Sequence, residues 1–278
     1  MVYVFRKLYC FTETLTFTME MDLRVNNPEA NLRVTPDTSK APLTALPAGH
    51  FVTTTGELTG TSRVWQPCST FVDGHDLEGY VHTSLLRLPI NAEVDRLIEA
   101  AGKEYKDFSW GKRNENHPTS KLRIRAYWQS VPLTPQPVSE PWSAVFISFI
   151  IRQASLTKSF KFSQRHTTYF SDSKTAFLDG DSSRAYWAVR LNDRVLEVGD
   201  LVGYCRTGSN CGTVSYSYGD LPGDFCSHSD VVVAIRNGIA LTIGGNVSQT
   251  VKVKEVPLTA AGKIAVGNQR ILVMKRNF

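Results

Sequence analysis

The hydrophobic pattern changes character near residue 90. Up to about Leu88, apolar and polar positions alternate over short runs broken by turn residues; beyond Asn91, stretches with helical spacing come first and alternation returns later. In residues 1–20 the apolar side chains fall at odd positions (Tyr3, Phe5, Tyr9, Phe11, Leu15, Phe17) with Thr12, Thr14, Thr16 and Thr18 between them, which predicts a strand or two in an N-terminal extension. Leu32 to Thr38 predicts a strand entering a Pro36-Asp37 turn. Thr44 to Thr54 reads as a turn feeding a β-branched strand, and Val64-Trp65 and Gly79 to Leu86 as further short strands. Short strands with regular turns predict a small barrel over residues 21–88.

The second region, 91–278, opens with Val94, Leu97, Ile98 and Ala101 at helical spacing, a helix expected to end on Gly102. Asn114 to Ser120 is polar and predicts a loop, Leu122 to Ser130 a second helix, and the four prolines from Pro132 to Pro141 an extended connector. Glu140 to Ala154 is apolar on nearly every side, the mark of a buried helix. Pro141 suits its first turn and Ser139 is placed to cap it. That leaves Ser143 in a first turn whose free N–H groups and dipole favour negative charge. Phe160 to Phe170 predicts a loop entering a helix, Tyr186 to Arg190 a short strand or helix end, and Gly199 to Cys205 a turn and strand. Thr207 to Phe225, rich in Gly, Ser and Tyr, predicts a long surface loop, and loops of that length are often functional. Ser229–Arg236 and Ile239–Asn246 flank Asn237-Gly238, a strong hairpin signal. Val251–Lys254 and Arg270–Met274 complete an antiparallel sheet, so the fold class is α+β, a small barrel followed by a central helix on an antiparallel sheet.

Composition narrows the function classes. A chain of 278 residues has room for one large domain or two smaller ones. The net charge of +5 suits an anionic polymer such as a bacterial cell wall, while the lack of a clustered Lys/Arg run argues against nucleic acid. Five irregularly spaced cysteines without a C-x-x-C pair argue against a zinc site, and no metal or cofactor is implied. One bridge among Cys205, Cys211 and Cys226 stays open. No run reaches membrane-spanning length. The first residues lack a sustained apolar core and a small-residue cleavage site, so no signal peptide is expected. The chain is then cytoplasmic as made. A wall target would call for a dedicated secretion system, with an immunity protein as a partner, or for a phage particle.

The chemistry-bearing residues of the second region follow the order nucleophile, base, orienting group. Ser143 starts the buried helix, His228 starts one strand, and Asn246 ends the partner strand, which puts the last two at one edge of the sheet. A hydroxyl nucleophile needs an imidazole to take its proton and a third group to hold the other ring nitrogen. Asp230 is the other candidate orienting group and His166 a second acid/base or substrate contact. Cys205 is the rival nucleophile, and Trp142 and Tyr216 are further residues that would line a site.

Two resemblances organise these signals. Asn31-Leu32-Arg33-Val34-Thr35-Pro36, Leu46-Pro47-Ala48-Gly49-His50-Phe51-Val52 and Glu78-Gly79-Tyr80-Val81-His82-Thr83-Ser84-Leu85-Leu86 resemble a bacterial SH3-like domain. The resemblance implies a module that binds wall peptides or positions a neighbouring hydrolase, with Trp65, Tyr80 and His82 as contacts. Residues 91–278 resemble the papain-like cell-wall hydrolases of the NlpC and CHAP type. The matching motifs are Pro141-Trp142-Ser143-Ala144-Val145-Phe146, Gly199-Asp200-Leu201-Val202, His228-Ser229-Asp230-Val231 and Ile243-Gly244-Gly245-Asn246. Those families carry cysteine where this chain has Ser143. A narrower bacterial group that the chain also resembles has serine there, within Trp-Ser-Ala-x-Phe-Ile-Ser, followed by Ser-x-x-His, in this chain Ser163 to His166. The resemblance implies a papain-like fold and hydrolysis of an amide bond in peptidoglycan, by an amidase or endopeptidase with Ser143, His228 and Asn246 as its site. The alternatives are an inactive wall- or protein-binding module and a serine hydrolase acting on a non-wall ester or peptide.

Overall fold

Alternation governs the first lobe of the computed structural model, which describes residues 20–208, 211–265, 267 and 269–278. Strands β1 (Asp22–Val25), β2 (Glu29–Arg33), β3 (Pro42–Pro47), β4 (Phe51–Thr54), β5 (Trp65–Val72), β6 (His75–His82) and β7 (Leu86–Arg87) form one antiparallel sheet in the order β3-β2-β6-β5-β4-β1-β7. In β5 the side chains of Gln66, Cys68, Thr70 and Val72 turn inward and those between them outward, the period of two that a pleated strand imposes. Val25, Leu32, Leu46, Val52 and Val81 close the core around Cys68. β5 is far longer than the short piece expected at Val64-Trp65, and β6 starts and ends four residues earlier than the strand expected at Gly79–Leu86. They form a hairpin turned by Asp73 and Gly74, both at positive φ, the conformation such a two-residue turn requires. The strands expected within residues 1–19 lie outside the described residues.

Among the described residues the second lobe has four α-helices, α1 (Ala92–Asp107), α2 (Pro118–Trp128), α3 (Ser143–Ala154) and α4 (His166–Asp179), and six strands. These are β8 (Tyr186–Val189), β9 (Leu201–Cys205), β10 (Ser227–Arg236), β11 (Ile239–Val247), β12 (Thr250–Pro257) and β13 (Arg270–Arg276), in the antiparallel order β12-β11-β10-β9-β13-β8. α3 buries almost its whole circumference, with Val145, Phe146, Ile147, Ile150 and Ile151 against one face of this sheet. Val202, Val232, Ala240, Val256 and Val273 form a smaller core on the other face. The protein is thus mixed α+β with two antiparallel sheets.

Three helix ends differ from the expectation. α1 runs five residues past Gly102, because Gly102 serves packing rather than termination: a Cβ there would lie 2.3 Å from the Ala48 carbonyl oxygen. Its absence lets the first lobe dock on α1, where Arg24 meets Glu99 at 3.0 Å and the buried pair Arg87–Asp95 closes at 2.7 Å. α2 starts at Pro118, four residues earlier than expected, with the His117 ring accepting the Thr119 N–H as its cap. Pro141 and Ser139 stay outside α3; Trp142 is the N-cap residue and no side chain caps it. Trp142 is held elsewhere, its indole N–H donating to Glu115 at 2.8 Å and its ring stacked on Phe108.

Candidate active site

Two helix starts converge at one point. Ser143 is the first residue of α3 and His166 the first of α4, and neither helix has a side-chain N-cap. Their juxtaposition is built by the two motifs that carry them. The Ser148 hydroxyl, a turn further along α3, donates to the Ser163 carbonyl at 3.0 Å and accepts the Ser163 N–H at 3.2 Å. That clasp holds the segment entering α4 alongside α3, and Ser143 Oγ then lies 2.7 Å from His166 Nε2. The other ring nitrogen of His166 meets Ser229 Oγ at 3.0 Å and the Tyr169 hydroxyl, and these two hydroxyls lie 2.9 Å apart. With the ring proton on Nδ1, one of these hydroxyls receives it and Nε2 is free to accept from Ser143. That is the tautomer a base needs.

The site is almost dry. Ser143, His166, Tyr169, His228, Ser229 and Asp230 are all buried. Burial holds the His166 pKa well below its ordinary value, with His228 and Arg206 acting the same way and Asp230 opposing them, so the ring is neutral at neutral pH. Burial likewise holds Tyr169 protonated, well above the usual phenol range.

A second polar chain lies beside the first. His228 donates from Nε2 to Asp230 Oδ1 at 2.7 Å, and Lys254 reaches Asp230 Oδ2 at 2.6 Å. Burial pushes His228 down to about 4 despite Asp230, leaving the ring neutral with Nδ1 unpartnered. Burial works against ionising Asp230, but His228 and Lys254 together hold its carboxyl below the usual range. The His166 and His228 ring centroids are 5.4 Å apart. Gly244 and Gly245 make both arrangements fit. A Cβ on Gly244 would lie 1.8 Å from Asp230 Oδ1, and one on Gly245 2.5 Å from Phe146 Cβ in α3.

The residues singled out in the sequence are placed as follows. Ser143 and His166 are in hydrogen-bond contact, whereas His228 contacts Asp230. His228 and Asn246 do lie at the same end of the β10–β11 hairpin, near a register shift where Asn246 takes φ 55°. Asn246 makes no side-chain hydrogen bond among the described residues. Cys205 is a buried thiol whose sulfur accepts the Tyr216 N–H at 3.4 Å, and the Tyr216 ring packs on Phe225. Cys211 is bridged to Cys226. In the first lobe the Trp65 and His82 rings meet edge to face at 5.2 Å, and Tyr80 is half-buried. Sequence reasoning does not single out Tyr169, Ser229 or Lys254. Tyr169 stands three residues after His166, a spacing that puts both on one helix face. Ser229 alternates with His228 along β10. Lys254 arrives from β12, two strands away, and no local pattern announces it.

The family whose model matches residues 99–278 is described as an uncharacterized protein conserved in bacteria (DUF2272). No curated protein matches the chain. Among solved structures, that of NlpC2 from Trichomonas vaginalis aligns with 92% of this chain and 72% of its own, at 12% identity and a TM-score of 0.23.

Proposed function

The chain belongs to this DUF2272 family, and we propose that it is a serine-dependent amide hydrolase acting on peptidoglycan. The observation that carries the reading is the 2.7 Å contact between Ser143 Oγ and His166 Nε2 at the uncapped start of a buried helix. In this reading His166 removes the Ser143 proton as the hydroxyl oxygen attacks the scissile carbonyl, and then returns it to the leaving amine. The free N–H groups of the first turn of α3 face the developing oxyanion, supported by the helix dipole. Ser229 and Tyr169 keep the proton on Nδ1, and the Asp230 charge favours the transient imidazolium. Water then displaces the acyl group from Ser143 by the reverse path. The wall substrate is supported by the NlpC- and CHAP-like motifs. The first lobe, in the same reading, is an SH3-like module over 21–88 that presents wall peptide to a papain-like domain over 91–278.

One observation favours a second assignment of the base. His228 Nδ1 is buried without a partner and so is able to accept from a hydroxyl, and a Ser143–His228 pairing with Asn246 at the same sheet edge is the one implied by the family resemblance. Purified peptidoglycan digested with wild type, Ser143→Ala, His166→Ala and His228→Ala, and read by mass spectrometry, separates the assignments. Fragments lost in Ser143→Ala and His166→Ala support His166 as the base. Loss in His228→Ala with retention in His166→Ala moves the base to His228, and equal fragments from all four proteins overturn the serine mechanism.

A further inference from the structure

We propose that Arg206 is the anchor of an anion subsite that receives a carboxylate of the substrate beside Ser143; this deepens the hydrolase reading and rests on it for the identity of the ligand. Arg206 directly follows β9, and its N–H donates to the Cys226 carbonyl at 2.7 Å, one residue before β10 begins. It is therefore at the sheet edge where His228 and Ser229 enter the site. Its side chain is only partly exposed, yet the guanidinium has no carboxylate or carbonyl partner among the described residues. Arg194 and Arg276, by contrast, are paired with Asp200 and Glu197. The half-buried guanidinium keeps its contact with solvent, and its forked N–H array is suited to a bidentate carboxylate. Arg206 also lines a cavity of about 160 Å³ with Val214, Tyr216, Asp224 and Phe225, one wall of which is the Cys211–Cys226 bridge. Asp224 does not compete for it, since its carboxylate is taken by Arg165 and Thr167 at the start of α4. The contact to Cys226 continues the β9–β10 register in which Tyr204 pairs with His228, so Arg206 stands two residues along the chain from the partner of His228 and shares its face of the sheet. Burial pushes the Arg206 pKa down, against Asp230, and a bound carboxylate would offset that by pairing with the charge. The ligand class is a peptide with a free carboxylate near the scissile bond, an abundant feature of an anionic peptide polymer.

Two readouts keep this idea separate from the serine mechanism. The first is the rate of Ser143 modification by a pair of aryl phosphonates, one with a carboxylate arm and one with the corresponding primary amide. Wild type should favour the carboxylate reagent by about tenfold or more, the scale of a charge-assisted contact, and the ratio should collapse toward one in Arg206→Gln while Arg206→Lys keeps part of it. The same ratio in wild type and Arg206→Gln overturns the subsite. If neither reagent modifies the protein, the hydrolase reading fails, and the subsite is judged by the second readout. This is binding of N-acetyl-D-alanine, compared with N-acetyl-D-alaninamide, to the full chain by NMR titration of the backbone amides of Tyr216 and Phe225, which line the same cavity. Saturable shifts with the acid alone, lost in Arg206→Gln of native melting temperature, support an anion site; equal shifts with both compounds, or none, overturn it.

Discussion

Gly244→Ala is the sharpest probe of how the sheet accommodates the buried His228–Asp230–Lys254 chain. Gly244 is not at positive φ, so alanine is not excluded by the backbone. The obstacle is contact: the new Cβ would lie 1.8 Å from Asp230 Oδ1 and 3.0 Å from His228 Nε2. A nonbonded separation of about 3.5 Å requires the carboxylate to withdraw by well over an ångström, which breaks its 2.7 Å bond to His228. Overpacking costs about 1–3 kcal/mol and loss of a charged hydrogen bond about 1.5–3 kcal/mol, together about 2.5–6 kcal/mol. That is a large share of the roughly 5–15 kcal/mol by which a domain is stable. Urea unfolding followed by tryptophan fluorescence gives the difference directly. Gly223→Ala, where a Cβ meets nothing within 4 Å, is the control and should stay within about 0.5 kcal/mol of wild type. A Gly244→Ala protein as stable as that control would refute the close approach of Gly244 to Asp230.

Three further outcomes follow from the same geometry. Stability should fall as pH drops from 6.5 toward 4, because the unfolded chain takes up a proton at His228 in that window and the folded one, with its pKa near 4, does not; this is worth about 3 kcal/mol, His166 acts in the same direction, and a flat stability–pH curve would contradict it. Ser148→Ala removes both bonds to Ser163; it should cost about 1–3 kcal/mol in unfolding and slow Ser143 modification, whereas unchanged modification would mean that the clasp does not position His166. Gly102→Ala pushes a Cβ to 2.3 Å from the Ala48 carbonyl oxygen and should destabilise by about 1–3 kcal/mol; thermal melts that superimpose on wild type would argue against tight docking of the first lobe on α1.

Much of the second lobe is legible in the sequence because its signals are local. The all-round apolarity of Val145 to Ile151 is a burial signal, and Asn237-Gly238 between apolar runs marks the β10–β11 hairpin. Gly102 reads as a stop because a helix end and a close approach both favour glycine, and only the partner backbone at Ala48 distinguishes them. Asp73-Gly74 is as plain a hairpin signal as Asn237-Gly238, but β5 carries Gln66, Pro67, Ser69 and Thr70 and does not read as a strand by apolarity. At the site, the distance between Ser143 and His166 depends on how two helix starts are brought together. The sequence shows the two motifs but not the Ser148–Ser163 bonds that join them. The reach of Asp230 to His228 is hidden for a related reason. Two residues on one strand face share a side, and the missing Cβ of Gly244 on the neighbouring strand makes room for the carboxylate to lean toward the ring.

Everything proposed for this site depends on Ser143 being a reactive hydroxyl served by His166. The most direct test is modification of the native protein by a fluorophosphonate, with the adduct located by peptide mass spectrometry. One adduct is expected, on Ser143, absent in Ser143→Ala and formed at least about a hundredfold more slowly in His166→Gln. A natively folded protein that forms no adduct, or one whose Ser143 is modified equally fast without His166, would contradict that expectation.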